Sequence, residues 1–100
     1  MKYKPGVVMY EIHPVLENRL PLIEWVWQEQ VGEDPTITSA REGEHSPTSL
    51  HYIGRALDFR TREYSAAQVE RLRADLARRL GPAFDVVVED THLHLEYDPR

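Results

Sequence analysis

The C-terminal segment constrains the fold of this chain most strongly. Residues 84–89 and 92–97 are two runs with strand character, and only Asp90 and Thr91 separate them. A connection this short can join two strands only as a tight hairpin, because parallel strands need a crossover of a dozen or more residues. The segment therefore predicts an antiparallel pair, whose valine-rich first strand is expected to be buried.

Residues 65–80 predict an amphipathic helix between this hairpin and the rest of the chain. Ser65 and Gln68 form a capping-box pattern at its start, and Gly81-Pro82 ends it. Four apolar residues recur at helical spacing and predict one buried stripe, namely Val69, Leu72, Leu76 and Leu80.

The remaining elements complete a prediction of the fold class. A helix is expected within residues 13–31, broken near Leu20 because Pro21 lacks an N–H. Residues 35–39 and 55–60 have strand patterns. The order of elements favours an α+β fold, with a small, mostly antiparallel sheet and helices packed on one face. One hundred residues suffice for one domain, which is expected to span residues 1–100.

Composition excludes several classes of function. The chain has no cysteine, so thiolate nucleophiles and cysteine-ligated metals are excluded, and a metal would need His, Asp or Glu. Twelve basic and 17 acidic residues give a formal charge of −5, which disfavours nucleic acid as a partner. No apolar run approaches the roughly 20 residues that span a bilayer, so no membrane partner is expected. The N-terminus lacks a secretory signal pattern, which predicts synthesis in the cytoplasm.

Histidines and carboxylates gather in the C-terminal strand. His92 and His94 are two residues apart, so on a strand they share one face with Glu96, while Leu93 and Leu95 take the other face. Imidazole nitrogen and carboxylate oxygen are ligands that zinc accepts. On spacing alone, a solvated polar edge is the competing interpretation.

An upstream segment strengthens the metal hypothesis. His51 and Asp58 lie seven residues apart, with Gly54 between them. Glycine permits a turn with positive φ, so the two side chains could meet at one ion if the chain reverses there.

These two segments together resemble the M15 zinc peptidases. That family includes D-alanyl-D-alanine carboxypeptidases and L-alanyl-D-glutamate endopeptidases of bacterial and phage lysis systems. The resemblance spans about residues 36–98. Its first motif, Ser-x-His-x-x-Gly-x-Ala-x-Asp, is matched by Ser49, His51, Gly54, Ala56 and Asp58. Its second is an acidic residue followed by His-x-His, within residues 89–96. The resemblance implies the fold shared by hedgehog proteins and D-Ala-D-Ala peptidases.

The resemblance also implies the metal ligands. His51 and Asp58 become zinc ligands, and family members with His-x-His use the second histidine, here His94. Members with Glu/Asp-x-x-His would instead use His92 as the ligand. We predict His94 as the third ligand, with His92 beside the metal or the substrate. Glu89 is the candidate catalytic base.

Two further residues are predicted to bind substrate. The family often has an arginine upstream of the first motif that holds a substrate carboxylate, and Arg41 occupies such a position. A surface arginine beside Glu42 and Glu44 is an equally open interpretation. Ser49 is a second candidate for substrate contact, although fixing the loop by hydrogen bonding is the expected role of its hydroxyl.

The resemblance predicts a zinc-dependent metallopeptidase that hydrolyses D-amino-acid-containing bonds of peptidoglycan stem peptides. The alternative is a catalytically silent zinc-binding protein of the same fold, with a structural or phage assembly role. A merely polar histidine face without metal is the third interpretation. Action on the cell wall would require release from the cell or delivery as part of a phage particle.

Overall fold

A five-stranded sheet organises the protein. The computed structural model describes residues 1–42 and 49–99. The sheet has the order β1-β2-β3-β5-β4. Its strands are β1 (Lys2–Tyr3), β2 (Thr36–Ser39), β3 (Ala56–Arg60), β4 (Phe84–Val88) and β5 (His92–Tyr97).

The sheet is mixed, because β1 runs parallel to β2 while the other three strand pairings are antiparallel. The predicted α+β class and the C-terminal hairpin are confirmed. The prediction that the first strand of the hairpin is buried is wrong: β4 lies at the edge of the sheet, and although Phe84 is buried, Val87 and Val88 are exposed. The hairpin loop comprises residues 89–91, and the Glu89 N–H closes it by donating to the His92 carbonyl at 2.9 Å. Strand β1 was not predicted, since two residues are too few to show an alternating pattern.

Three α-helices accompany the sheet in the described residues: α1 (Pro14–Glu17), α2 (Leu20–Val31) and α3 (Ala66–Leu80). The predicted break near Leu20 separates α1 from α2. Pro21 then lies in the first turn of α2, where a missing N–H leaves no helical hydrogen bond unmade. The predicted capping box of α3 is present, since Ser65 and Gln68 exchange side-chain and backbone hydrogen bonds.

The helices pack on one face of the sheet. Leu57 pairs with Leu95 and Phe59 with Leu93 across β3 and β5, and all four are fully buried. They share one apolar cluster with helical residues that include Leu16, Trp27, Leu72 and Leu76. Because side chains alternate along a strand, the residues between them, Asp58 and His94, belong to the opposite face. None of the helices in the described part of the chain is long and apolar enough to cross a membrane.

Candidate metal centre

Three side chains from the two motifs meet on the face of the sheet opposite the helices. Asp58 on β3 and His94 on β5 are direct cross-strand partners, and Nδ1 of His94 lies 2.9 Å from Oδ1 of Asp58. Nε2 of His51 lies 3.3 Å from the same oxygen. One ligand atom from each residue lies within 4.8 Å of the others. The three residues, called the metal group below, are therefore close enough to hold one metal ion.

A short 3₁₀ helix, Leu50–Ile53, delivers His51 to this point. The Ser49 hydroxyl caps it by accepting from the His51 N–H at 3.2 Å. Gly54 ends it in the left-handed conformation, with φ 75°. The turn predicted at Gly54 is thus present. His51 is buried in this position, with only 2% of its surface exposed.

Gly54 is also needed because of a close backbone approach. A Cβ atom at this position would overlap the carbonyl oxygen of Glu11, and the Gly54 carbonyl accepts from the His13 N–H at 2.9 Å. The N-terminal segment therefore packs directly on the turn that positions His51.

We expect Gly54→Ala to destabilise the protein by about 2–5 kcal/mol, from the left-handed conformation together with the overlap. Gly32→Ala is the matched control, because Gly32 has nearly the same φ, 73°, and open space around it. The control substitution should lower the free energy of unfolding by only about 1–2 kcal/mol. Urea unfolding of both variants measures the difference, and equal losses would show that the contact with Glu11 is unimportant.

The backbone after β2 orients the imidazole of His51. The register of β2 against β3 shifts between Ile37 and Ser39, as at a β-bulge, and the chain then presents the Ala40 carbonyl 2.7 Å from Nδ1 of His51. A carbonyl oxygen can only accept, so Nδ1 carries the hydrogen. Nε2 is then the nitrogen that faces Asp58.

His94 is oriented in the same way by a carboxylate. Its Nε2 lies 2.8 Å from Oε1 of Glu96 and donates to it, so Nδ1 faces Asp58. Each histidine of the metal group thus has its outer nitrogen held by an acceptor and its inner nitrogen directed at a common point. Metal-ligating histidines show this pattern. The sequence placed Glu96 on the same face as His94, but its role in holding the imidazole was missed.

The electrostatics of the metal group favour positive charge at its centre. Burial acts to raise the pKa of Asp58, but hydrogen bonds from His51 and His94 outweigh it and hold that pKa well below its usual range. The hydrogen bond with Asp58 raises the pKa of His94 against the opposing effect of burial, and Glu96 contributes in the same direction. A buried carboxylate between two imidazoles is stabilised either by protons on the rings or by a cation that replaces them.

His92 lies beside the metal group rather than within it. Its Nε2 is 3.8 Å from Oδ2 of Asp58, and its cross-strand partner is Arg60. The predicted third ligand, His94, is the histidine of the pair that joins His51 and Asp58.

The other predicted residues lie further out. Glu89 is exposed in the hairpin loop and lines a cavity of about 430 Å³ that none of the metal group borders. Within the described residues, no contact joins it to the metal group, so its role as a base stays a prediction. Nη1 of Arg41 lies 3.4 Å from the carbonyl oxygen of Glu11 and 3.7 Å from its Oε2. Substrate contact by Arg41 and by the capping Ser49 also stays a prediction.

A second group of potential ligands comprises three carboxylates, Asp85, Glu96 and Asp98. It contains only oxygen donors, its members are exposed or half-buried, and carboxylates often lie this close without an ion. The metal group differs from it in having two oriented imidazoles and a buried centre.

Comparison of the chain with family models, curated proteins and solved structures gives no match. The geometry of His51, Asp58 and His94 and the motifs that carry them are therefore the basis for assigning a function.

Proposed function

We propose that this protein is a zinc-dependent peptidase of the M15 type. The supporting observation is the convergence of its two motifs. His51 and Asp58 come from the first motif, and His94, 36 residues after Asp58, comes from the second, yet all three point at one site. The proposal includes the hedgehog and D-Ala-D-Ala peptidase fold, with which an α+β sheet carrying helices on one face and metal ligands on the other is consistent.

Zinc is the metal that the donor set fits best. Two imidazole nitrogens and one carboxylate oxygen suit zinc, whereas calcium and magnesium prefer oxygen ligands alone. Three protein ligands also match catalytic zinc sites, which keep a further position for water or substrate.

The proposed reaction is hydrolysis of a peptide bond in a peptidoglycan stem peptide. His51, Asp58 and His94 would hold the zinc, which would supply an acidified water and polarise the scissile carbonyl. Ala40 and Glu96 keep the imidazoles of His51 and His94 in their binding orientation. The M15 resemblance assigns proton transfer to Glu89, carboxylate binding to Arg41, and a position near the developing oxyanion to His92.

Purified peptidoglycan provides the test of this proposal. We expect the zinc-loaded protein to release free amines from it, a chelator to stop the release, and added zinc to restore it. Amine release that persists in full after the metal has been removed would contradict a zinc peptidase.

One observation keeps the alternative of a catalytically silent zinc protein open. The candidate base, Glu89, is exposed in the hairpin loop and lines a cavity apart from the metal group. That alternative predicts stoichiometric zinc, measured by elemental analysis, together with no amine release.

We expect Glu96→Gln to weaken zinc binding by about tenfold. Loss of the group that hydrogen-bonds to a metal-ligating side chain typically weakens metal binding about 10–100-fold, and this substitution should lie at the lower end. A neutral amide can still accept from Nε2 of His94 but no longer raises the basicity of the ring. Competition with a zinc-chelating dye measures the affinity. Glu29→Gln, at an exposed position on α2, should bind zinc as the unaltered protein does, and an equal loss in both variants would exclude a specific role for Glu96.

A further inference from the structure

A cavity of about 430 Å³ lies on the face of the sheet that carries the helices, away from the metal group. Its lining includes Val69 on α3 and Val88 on β4. Val88 is the cross-strand partner of Leu93, which belongs to the apolar cluster beneath the helices. Sites for small molecules commonly have volumes of about 300–1,000 Å³. We call this space the α3 cavity.

One wall of the α3 cavity is an apolar surface that the helices leave uncovered. Leu93 is fully buried, whereas Val88, at the same level of the sheet, is 43% exposed. Helix α3 covers Val69 but does not reach over Val88, and Ala66 in its first turn extends the apolar wall. A ligand that covers this wall gains free energy by removing apolar surface from water.

Thr61 contributes a polar group that has no partner in the described part of the chain. The residue is only 3% exposed, and its N–H donates to the Thr91 carbonyl at 3.1 Å, but its hydroxyl forms no hydrogen bond within residues 1–42 and 49–99. Every fully buried polar side-chain atom in those ranges has a partner, so Oγ1 of Thr61 lies in the small accessible part of the residue. Because Thr61 lines the α3 cavity, its hydroxyl opens into that space and is available to a ligand.

The charges around the α3 cavity favour a cation inside it. Arg62 is the single basic residue of the lining, against three acidic residues, namely Glu70, Glu89 and Asp90. Glu70 pairs with Arg73, but Glu89 and Asp90 form no ion pair with any residue that the structure describes. Two uncompensated carboxylates beside a concave apolar surface attract a positively charged group.

Tyr64 favours the same charge of ligand. Its hydroxyl accepts from Nε1 of Trp27 at 3.2 Å, and its N–H donates to the Thr61 carbonyl at 3.0 Å, so the residue is fixed at the wall of the α3 cavity. An aromatic ring attracts a cation that lies over its face within about 6 Å of the ring centre.

We propose that the α3 cavity binds a primary ammonium ion attached to an apolar chain. The carboxylates and the Thr61 hydroxyl accept from the ammonium N–H groups, and Val69 and Val88 contact the chain. This site goes beyond the proposed peptidase activity, because it lies on the opposite face of the sheet from the metal group and needs no metal.

Three probes with the same six-carbon chain test the charge of the ligand. We expect n-hexylammonium to shift the amide NMR signals of Thr61, Val69 and Val88 saturably, with zinc and equally with a chelator. n-Hexanol and n-hexanoate should bind at least about tenfold more weakly, because neither makes a charge-assisted hydrogen bond to a carboxylate. Equal binding of the three probes, no saturable shift with n-hexylammonium, or loss of its binding in the chelator would overturn the proposal.

Two valines on β4 test the position of the site. Val88→Ser should weaken binding of n-hexylammonium about threefold, because it removes apolar surface from the wall. Val87→Ser is the matched control, since Val87 is 44% exposed but pairs with His94 on the other face of the sheet. The control should bind as the unaltered protein does, and equal losses in both variants would overturn the proposal.

Two charge variants should change the affinity in opposite directions. Asp90→Asn should weaken binding of n-hexylammonium about fivefold, through loss of a charge-assisted hydrogen bond. Arg62→Gln should strengthen it about threefold, because it removes the only cation of the lining. Damage to the fold would weaken binding, so it cannot produce the gain expected for Arg62→Gln. Weaker binding by that variant would contradict the proposed ammonium site.

A blocked lysine distinguishes two sources of the ligand. Nα-acetyl-lysine methylamide carries a primary ammonium group and a four-carbon chain on a peptide-like backbone. If it binds more tightly than n-hexylammonium, the ligand is a lysine side chain of a peptide, and if it binds more weakly, the ligand is a free amine. Either result supports the ammonium site, whereas absence of binding by both compounds would overturn it.

Discussion

The variant His51→Ala is expected to lose both stoichiometric zinc and all hydrolysis of peptidoglycan fragments. The substitution removes one of three protein ligands, and alanine has no group that can replace the imidazole. The affinity for zinc should fall by more than the about 10–100-fold that follows from removing only the hydrogen-bond partner of a ligand. Elemental analysis after dialysis measures the zinc, and amine release measures the activity.

The neighbouring histidines make this prediction specific. His94→Ala should also lose zinc, because Nδ1 of His94 faces Asp58 at 2.9 Å. His92→Ala should retain stoichiometric zinc, since Nε2 of His92 lies 3.8 Å away, on the other carboxylate oxygen. The opposite result, zinc retained without His94 and lost without His92, would make His92 the third ligand.

A folding control is needed because His51 is buried. Far-UV circular dichroism reports whether His51→Ala keeps its helices and sheet. Asp58→Asn preserves the volume of the side chain while it removes the charge that lies between His51 and His94, so it tests the metal group with little change in packing. Stoichiometric zinc in both folded variants would contradict the assignment of the metal group.

Zinc is expected to stabilise the folded protein strongly. The metal group joins the 3₁₀ helix, β3 and β5, which an unfolded chain cannot hold together, so binding energy becomes folding energy. Free zinc at 100 times its dissociation constant should add about 2.7 kcal/mol, which corresponds to a rise in Tm of about 10–20 °C for a chain of this size. Differential scanning calorimetry with and without a chelator measures the shift.

The stabilisation by zinc should decrease as the pH falls. Zinc needs the deprotonated inner nitrogens of both histidines, so protons compete with it. The hydrogen bond with Asp58 raises the pKa of His94, so competition at that ring begins above the ordinary histidine value of about 6.5. The rise in Tm should therefore be large near pH 8 and small near pH 5.5.

Two controls identify the site responsible for the stabilisation. Calcium should produce little shift through the metal group, because it prefers oxygen ligands, and His51→Ala should abolish the shift with zinc. A shift of the same size in His51→Ala would assign the effect to another site, such as the carboxylates Asp85, Glu96 and Asp98.

Much of the fold could be predicted because its signals are local. The capping box of α3 involves Ser65 and Gln68, three residues apart, and the hairpin follows from a connection too short for any other arrangement. The alternation of residues 92–97 correctly assigned Leu93 and Leu95 to the core and His94 to the opposite face. Each of these inferences depends on interactions within one or two elements.

By itself, the sequence determined the α+β class, the hairpin, the helix caps and the two motifs that carry His51, Asp58 and His94. Only the tertiary structure decided that the Ala40 carbonyl holds His51 and that His51, Asp58 and His94 meet at one point. These contacts depend on the register of β3 against β5 and on the shift in β2. The packing of the whole sheet and its helices settles such features, and no local spacing of residues encodes them.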